Sequence, residues 1–242
     1  MNSMQNNIKF KIDWASHESI KYACENWHYS KSVPVPPLVK IGVWEDNKFI
    51  GCVLFSRGAS SNLLKPYNLK QNQGCELTRI ALNKHITPVS KIMSIAIKFL
   101  KKHNPNLKLI VSFADPNEGH HGGIYQATNW IYTGRSSKSF KYIDKNGREW
   151  HSRQVSEKGY NIQQGNVRKT IKPSECKKII CEGKHRYLFP LDKDIRILCN
   201  KLSKPYPKRG LSVESSTSDY QSERGSESLT NSHQKSELSE LY

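Results

Sequence analysis

Residues 108–116 read Lys-Leu-Ile-Val-Ser-Phe-Ala-Asp-Pro, and residues 117–125 continue with Asn-Glu-Gly-His-His-Gly-Gly-Ile-Tyr. The nearly continuous apolar run before Asp115 is typical of a strand that is covered on both faces, as in a parallel or mixed sheet. Pro116 has no N–H group to donate, so strand pairing should end there. Asp115 is therefore predicted at the carboxyl end of a central strand, where open α/β sheets bind their ligands.

The polar residues that follow this strand allow more than one interpretation. Asp115 could act as a general base or a metal ligand, or it could cap the turn that leads to Gly119. His120 and His121 are adjacent and point in different directions, so one could serve the site or both could be surface residues. Tyr125 is typical of a core aromatic at helical spacing, although an aromatic ring here could also stack on an extruded base.

The rest of the pattern predicts a mixed α/β fold around this strand. Residues 38–55 form a hairpin, residues 75–82 alternate as a third strand, and a helix that starts at Pro88 leads to the buried strand. The free amides at the start of the helix that follows the loop at residues 83–88 would favour a phosphate or pyrophosphate. This order is typical of an N-acetyltransferase-like (GNAT-like) mixed central sheet flanked by helices, although the loop lacks the glycine-rich pyrophosphate signature of that superfamily.

Composition separates a folded domain from a tail. Residues 1–203 are predicted to form the domain, and residues 153–203 are a basic C-terminal extension of it. From residue 204 the chain has no apolar periodicity, and ten serines lie between Ser212 and Tyr242, which predicts disorder. No apolar run approaches the roughly 20 residues that span a bilayer, and Met1 to Asn7 do not form a secretory signal.

The charge of the chain indicates a polyanionic partner. The formal net charge is +17, and the tail from Ser212 holds six acids and two bases, which leaves residues 1–211 with +21. Basic proteins of this kind neutralise phosphates and release counterions, so nucleic acid is the first expectation. General lysine richness or a solubilising surface charge would explain the composition without such a partner.

Two further residues are candidates on chemical grounds. Tyr29 lies in a dense polar segment beside Trp27, where it could donate or accept a proton or simply pack in a loop over the core. Arg79 on the third strand could bind a cofactor phosphate, because a guanidinium suits phosphate geometry. An ion pair with Glu76 is the structural alternative for Arg79.

Ten segments with unusual residue combinations follow one another across residues 26 to 190. They are Trp27-His-Tyr-Ser-Lys31, Gly42-Val-Trp-Glu45, Phe49-Ile-Gly51, Phe55-Ser-Arg-Gly-Ala59, Cys75-Glu-Leu-Thr-Arg79, Val89-Ser90, Val111-Ser-Phe-Ala-Asp-Pro116, Gly119-His-His-Gly-Gly-Ile-Tyr-Gln-Ala127, Asn129-Trp-Ile-Tyr-Thr-Gly134 and Lys184-His-Arg-Tyr187. In this order they resemble the Mom family of phage DNA-modification proteins. The resemblance implies a divergent acetyltransferase-like enzyme that adds a carbamoylmethyl group to adenine N6 in DNA and so protects phage DNA from host restriction. Its partner would be double-stranded DNA with the adenine flipped out, in the cytoplasm of a bacterial host cell.

The resemblance also assigns roles to residues. It implies that Arg79 and Ser90 bind acetyl-coenzyme A, and that Tyr29 and Asp115 carry the chemistry. His28 and Tyr125 join them as functional positions of the family. An iron ion is linked to the family, with His28, Tyr29 and Asp115 as its ligands here. An ordinary acetyl-coenzyme A-dependent N-acetyltransferase on a protein or small amine, or a non-catalytic DNA-binding protein, remains the alternative, and the sequence leaves the oligomeric state open, a dimer included.

Overall fold

The computed structural model describes residues 8–58, 60–163 and 165–208 of the chain. Its strands are β1 (Phe10–Trp14), β2 (Leu38–Glu45), β3 (Lys48–Ser56), β4 (Gly74–Leu82), β5 (Leu109–Ala114), β6 (Ile131–Arg135), β7 (Ser139–Asp144), β8 (Glu149–His151), β9 (Tyr160–Gln163), β10 (Asn166–Lys169), β11 (Cys176–Cys181) and β12 (His185–Pro190). Its α-helices are α1 (His17–Trp27), α2 (Val89–His103), α3 (Gly123–Gln126) and α4 (Lys193–Lys201). Most of the tail that was predicted to be disordered lies outside the described residues.

A seven-stranded sheet in the order β1-β2-β3-β4-β5-β12-β6 forms the centre of the domain. Its neighbours are antiparallel except for β4 and β5, which run parallel and are joined by α2. The predicted hairpin, third strand, crossover helix and buried strand are all present in this order. The predicted class, a mixed sheet flanked by helices, is confirmed.

Helices cover both faces of this sheet, as the alternation along β3 shows. Cys52 and Leu54 are fully buried in a cluster with α1, whereas Val53 and Phe55 are fully buried in the larger cluster with α2. Successive side chains of a strand point to opposite faces, so α1 and α2 lie on opposite faces of the sheet. Burying each such aliphatic or aromatic side chain contributes about 1.5–3 kcal/mol.

The two parallel strands separate before they end. Their pairing covers Gly74–Leu77 of β4 and Leu109–Ser112 of β5, and it stops there although both strands continue. The backbone groups beyond Leu77 and Ser112 therefore face a gap between the strands. This gap opens at the carboxyl end of β5, where the sequence analysis placed the site.

A bulge in β4 changes which side chains face α1. Leu54 of β3 lies opposite Arg79, and the next residue, Phe55, lies opposite Leu77, so Thr78 is the extra residue. The Thr78 hydroxyl donates to the Leu54 carbonyl at 3.1 Å, which ties the bulge to its neighbour. Because the extra residue shifts the alternation, Arg79 lies on the α1 face together with its partner Leu54.

The region between β6 and β12 differs from the sequence analysis. The Asn-Gly pair at residues 146–147 predicts a hairpin, which is present as β7 and β8, and β11 joins it in a three-stranded sheet. The polar and basic composition of residues 153–176 predicts loop with some helix, but they contain β9 and β10, which pair with each other. The apolar residues between 177 and 189 predict one late strand, but there are two strands, because residues 182–184 interrupt it.

Residues of the predicted C-terminal extension contribute to the main sheet. Strand β12 pairs with β5 on one side and β6 on the other, and α4 packs beside it through Ile195 and Cys199. At the other end of the chain β1 was not predicted, although it pairs with β2 along its whole length. No helix in the described part of the chain is long and apolar enough to cross a membrane.

Candidate active site

A cavity of about 1080 Å³ opens where β4 and β5 separate. It is lined by the C-terminal end of α1 with the two residues that follow, by β4, by the end of β5 and by the glycine-rich segment at residues 119–125. Lys184, just before β12, also lines the cavity. The cavity therefore contains five of the six predicted site residues, His28, Tyr29, Arg79, Asp115 and Tyr125.

Asp115 performs the capping role and also faces the cavity. Its Oδ1 accepts hydrogen bonds from the Asn117 backbone N–H at 3.0 Å and from Asn117 Nδ2 at 2.8 Å, which closes a short 3₁₀ turn over Pro116–Glu118. Its Oδ2 lies 2.8 Å from Lys184 Nζ, and the Asp115 side chain is only 14% exposed. The two interpretations of Asp115 are compatible, because each carboxylate oxygen has a different partner.

The surroundings of Asp115 keep it ionised. Burial favours the neutral acid, but the hydrogen bonds from Lys184 and Asn117 outweigh it, so the pKa of Asp115 is lowered below its ordinary value. At neutral pH the group is a carboxylate beside an ammonium. It can accept a hydrogen bond or a proton from a bound molecule, and Lys184 offsets its charge when the cavity is desolvated.

Three rings form a tier on one wall of the cavity. His28 stacks on Tyr29 with ring centroids 4.3 Å apart, and Tyr29 lies 5.2 Å from His120. Partial burial raises the pKa of Tyr29, so its phenol stays protonated at neutral pH. Tyr29 is 49% exposed, which leaves ring surface available for a planar ligand.

His28 is a neutral imidazole with one nitrogen already in use. Burial, and after it the charge of Arg79, lowers the pKa of His28 to about 4. Its Nδ1 accepts a hydrogen bond from the Ser30 backbone N–H at 3.1 Å, and the Ser30 hydroxyl lies 2.8 Å from the same atom. The ring proton is therefore on Nε2, and His28 acts as a fixed hydrogen-bond donor.

Tyr125 closes the point where the two strands separate. Its hydroxyl lies 2.8 Å from Ser112 Oγ, which lies 2.8 Å from the Leu77 carbonyl oxygen. The carbonyl can only accept, so the Ser112 proton goes to it and the Tyr125 hydroxyl completes the chain as donor to Ser112. Burial raises the pKa of Tyr125 to about 12, which keeps that proton in place.

Arg79 lines the cavity, whereas Ser90 does not. Arg79 donates to the Thr78 carbonyl at 2.8 Å and to the Ser32 carbonyl at 3.4 Å, on the α1 side of the sheet. Ser90 lies in the first turn of α2. The role of these two residues in binding acetyl-coenzyme A stays a prediction.

A model of the Mom protein family matches residues 9–208. The chain belongs to the Mom protein family. It is similar to the methylcarbamoylase Mom of Escherichia phage Mu, with 26% identity over 190 residues that cover 75% of this chain and 76% of that protein. The family match over residues 9–208 includes β12 and all the residues that line the cavity, among them Lys184. The Mom-family region and the described domain therefore coincide.

Solved acetyltransferase structures of low identity are also similar to this chain. One is a putative acetyltransferase from Acinetobacter baylyi, with a TM-score of 0.43 and 10% identity, which covers 78% of this chain and 96% of that one. Another is a Bacillus subtilis acetyltransferase in complex with CoA, with a TM-score of 0.43 and 12% identity, covering 76% of this chain and 99% of that one. The family assignment rests on the sequence match.

The expected iron ligands do not form a metal site in this Mom-family protein. With Nδ1 accepting from Ser30 and the proton on Nε2, His28 has no free lone pair for a metal. The cationic position beside Asp115 is taken by the Lys184 ammonium. The residues as arranged do not fit iron, and no step of the proposed chemistry uses it.

The loop before α2 is held by a buried carboxylate. Glu45, at the end of β2, is 6% exposed, and its carboxylate accepts from the Ile86 N–H at 2.9 Å and the Thr87 N–H at 2.7 Å. These amides precede the helix, whereas the amides predicted to bind a phosphate are those of the helix start at Val89. Phosphate binding at the helix start and acetyl-coenzyme A as donor therefore stay predictions.

Replacing Glu45 with glutamine is expected to lower the free energy of unfolding by about 1–3 kcal/mol, because two buried N–H groups lose a charged acceptor. Hydrogen bonds from Thr87 and Ile86 outweigh burial, so the pKa of Glu45 is lowered. In the unfolded chain the pKa of a glutamate is about 4.3, so the lower pKa of Glu45 in the folded protein stabilises the fold fully above that pH. This stabilisation is lost as the pH falls through the folded-state pKa. Urea unfolding from neutral to acidic pH measures both effects.

The exposed carboxylate Glu25 gives the matched control. It lies 3.9 Å from Lys21 on the surface of α1, so Glu25→Gln is expected to change stability by no more than about 0.5 kcal/mol. Equal urea midpoints for Glu45→Gln and the unchanged protein would contradict the role of Glu45. An unchanged acid dependence in that variant would do the same.

Sequence reasoning missed Lys184 and Asn117 as partners of the predicted residues, whereas His120, one of the two candidate histidines, lies beside Tyr29. Lys184 lies within a segment of the resemblance, which was the available signal. Its contact with Asp115 depends on β12 lying beside β5, and no local pattern specifies that neighbour. Asn117 follows the Asp-Pro pair in the position of a side-chain capped turn, which the residue types indicate.

Proposed function

We propose that this protein is a transferase that modifies adenine in double-stranded DNA to N6-carbamoylmethyladenine and thereby protects phage DNA from restriction. One observation carries the proposal: in a Mom-family chain with a strongly basic body, the Asp115–Lys184 pair and the ring of Tyr29 face one cavity. The relative from phage Mu, named a methylcarbamoylase, supports the type of group transferred.

The size and lining of the cavity support an extruded base as substrate. Small-molecule sites are about 300–1000 Å³ in volume, so a cavity of about 1080 Å³ has room for a purine and a donor group together. Enzymes that act on a base inside a duplex flip it out and hold it against aromatic or apolar side chains. The tier of Tyr29, His28 and His120 provides such a surface.

Asp115 would accept the proton that adenine N6 loses. The N6 lone pair is delocalised into the ring, so N6 is a weak nucleophile until that proton is removed. As the new bond from N6 to the donor carbon forms, the bond from that carbon to its leaving group breaks and the leaving group departs with the electron pair. The N6–H bond breaks as well, and its proton passes to the Asp115 carboxylate. Lys184 holds the carboxylate in place, and the protonated Tyr29 beside it can donate a hydrogen bond.

The product limits what the donor can be. Transfer of an acetyl group alone would leave an acetamide on N6, which lacks the second nitrogen of a carbamoylmethyl group. The donor must therefore supply a carbon and nitrogen skeleton, by itself or with a second reactant. The residues described above bind and deprotonate the adenine, and they do not specify the donor.

The nucleoside mass spectrum of DNA from cells that express the full chain tests the proposal. The expected result is a modified deoxyadenosine whose mass increase equals a carbamoylmethyl group, together with resistance of that DNA to restriction enzymes that cut at adenine-containing sites. Unmodified adenine in cells that contain folded protein would overturn the proposal. A modified protein or small amine in place of DNA would identify an ordinary N-acetyltransferase.

A further inference from the structure

The β9–β10 ribbon stands out from the rest of the domain. It consists of two short strands that pair only with each other, and a two-stranded hairpin is marginally stable in water by itself. Ile162 and Val167, a cross-strand pair, are each 69% exposed, and all four residues of β10 are exposed. The ribbon therefore presents exposed side chains to solvent, as an element that enters a groove must.

The register of the ribbon sorts its side chains onto two faces. Val167 lies opposite Ile162 and Lys169 opposite Tyr160, so these four share one face. Arg168 lies opposite Asn161, and Asn166 shares their face because it is two residues from Arg168. One face is therefore apolar with a lysine, and the other presents amide and guanidinium groups.

The polar face has the residue types that read base edges. Arginine bonds both acceptors of guanine in the major groove, and asparagine bonds the acceptor and donor of adenine. The major groove, about 12 Å wide, admits a two-stranded ribbon. The corresponding groove of A-form RNA is too deep and narrow for side chains to read, so duplex DNA fits better.

The flanks of the ribbon provide charge for the DNA backbone. Lys158 precedes β9, and Lys169 and Lys172 end and follow β10, all three exposed. Among the residues that the structure describes, no carboxylate pairs with these lysines or with Arg168. Basic side chains without an acidic partner are suited to phosphates on either side of a groove.

The ribbon belongs to the segment at residues 136–184, called the insertion below, which begins and ends at the cavity. Ser136, Ser137 and Ser139, where the chain enters it, line the cavity, and so does His151 at the end of β8. The chain leaves the insertion at Lys184, which pairs with Asp115. The segment at residues 136–184 that carries the ribbon therefore reaches the cavity at both of its ends.

We propose that the β9–β10 ribbon enters the major groove beside the target adenine and reads the flanking base pairs, with Arg168 bonded to a guanine and Asn166 to an adenine. The inference rests on the proposed function for its partner, double-stranded DNA. It adds that the protein selects the sequence around the adenine through these two side chains. Phosphate contacts from the flanking lysines position the ribbon without selecting sequence.

Selection from a library of random DNA duplexes by the purified full-length protein tests this inference without requiring catalysis. The unchanged protein is expected to enrich one short motif. Each good bidentate contact discriminates by about 1–3 kcal/mol, so Arg168→Ala and Asn166→Ala should each lose about 5- to 150-fold discrimination at one position of that motif. Asn166→Ala leaves the charge unchanged, so its affinity for unselected duplexes should stay the same.

Lys158→Gln is the matched control, because it removes a phosphate contact near the same ribbon. It is expected to weaken all sequences equally and to leave the enriched motif unchanged. The inference is overturned if the unchanged protein enriches no motif, or if both ribbon variants enrich the same motif as the unchanged protein. The nucleoside mass spectrum is read separately, so enrichment without modified adenine would defeat the proposed reaction and leave the reading role intact.

Discussion

Replacing Asp115 with asparagine is expected to lower the yield of N6-modified adenine by about 10²–10⁴-fold, the range that a positioned general base contributes. Asparagine has the same shape, and its Oδ1 can still accept from Asn117, so the turn at the end of β5 is kept. The change removes the atom that accepts the proton and leaves the Lys184 ammonium without its partner. The measurement is the nucleoside mass spectrum, normalised to the amount of folded protein.

Asp13→Asn is the matched control for this substitution. Asp13 is an exposed carboxylate on β1, 2.9 Å from Lys11, so it also loses an ion pair with a lysine when it is replaced. Its yield of modified adenine is expected to equal that of the unchanged protein. A yield near that level for Asp115→Asn, from protein with an unchanged urea midpoint, would show that another group accepts the proton.

The end of β5 illustrates what local sequence determines. The apolar run and Pro116 were enough to place Asp115 at a strand end, because burial on both faces and the missing N–H act on neighbouring residues. Lys184 could not be placed in the same way. It reaches Asp115 because β12 inserts between β5 and β6, and strand order depends on tertiary packing.

Glu45 and the ribbon show two other limits of pattern reasoning. Glu45 lies where the predicted hairpin over residues 38–55 turns, and nothing local indicates that its buried carboxylate bonds amides about forty residues later in the chain. The ribbon was expected to be loop with some helix, because its segment is polar and basic. Its apolar side chains, Tyr160, Ile162 and Val167, are few and exposed, so they give no sign of a strand with one buried face.

The affinity of the full chain for duplex DNA is expected to fall by about 10³–10⁵-fold between about 50 and 200 mM salt. The body carries a net charge of +21 over residues 1–211, and a loss of this size corresponds to about 6–10 phosphate contacts. Added salt makes the release of counterions from DNA less favourable. The logarithm of the affinity should therefore fall linearly with the logarithm of the salt concentration. Binding to an unselected duplex over a salt series measures the slope.

Two pairs of substitutions locate the phosphate contacts. Lys158→Gln and Lys172→Gln, beside the β9–β10 ribbon, are each expected to reduce the salt slope by about 1. Lys98 and Lys102 lie on α2, on the face of the sheet opposite α1. Lys98→Gln and Lys102→Gln should therefore leave the slope unchanged. If the α2 pair changes the slope as much as the ribbon pair, DNA does not approach from the side of the insertion. In that case the cavity would have to receive the adenine from another direction, and the ribbon could not read its flanks.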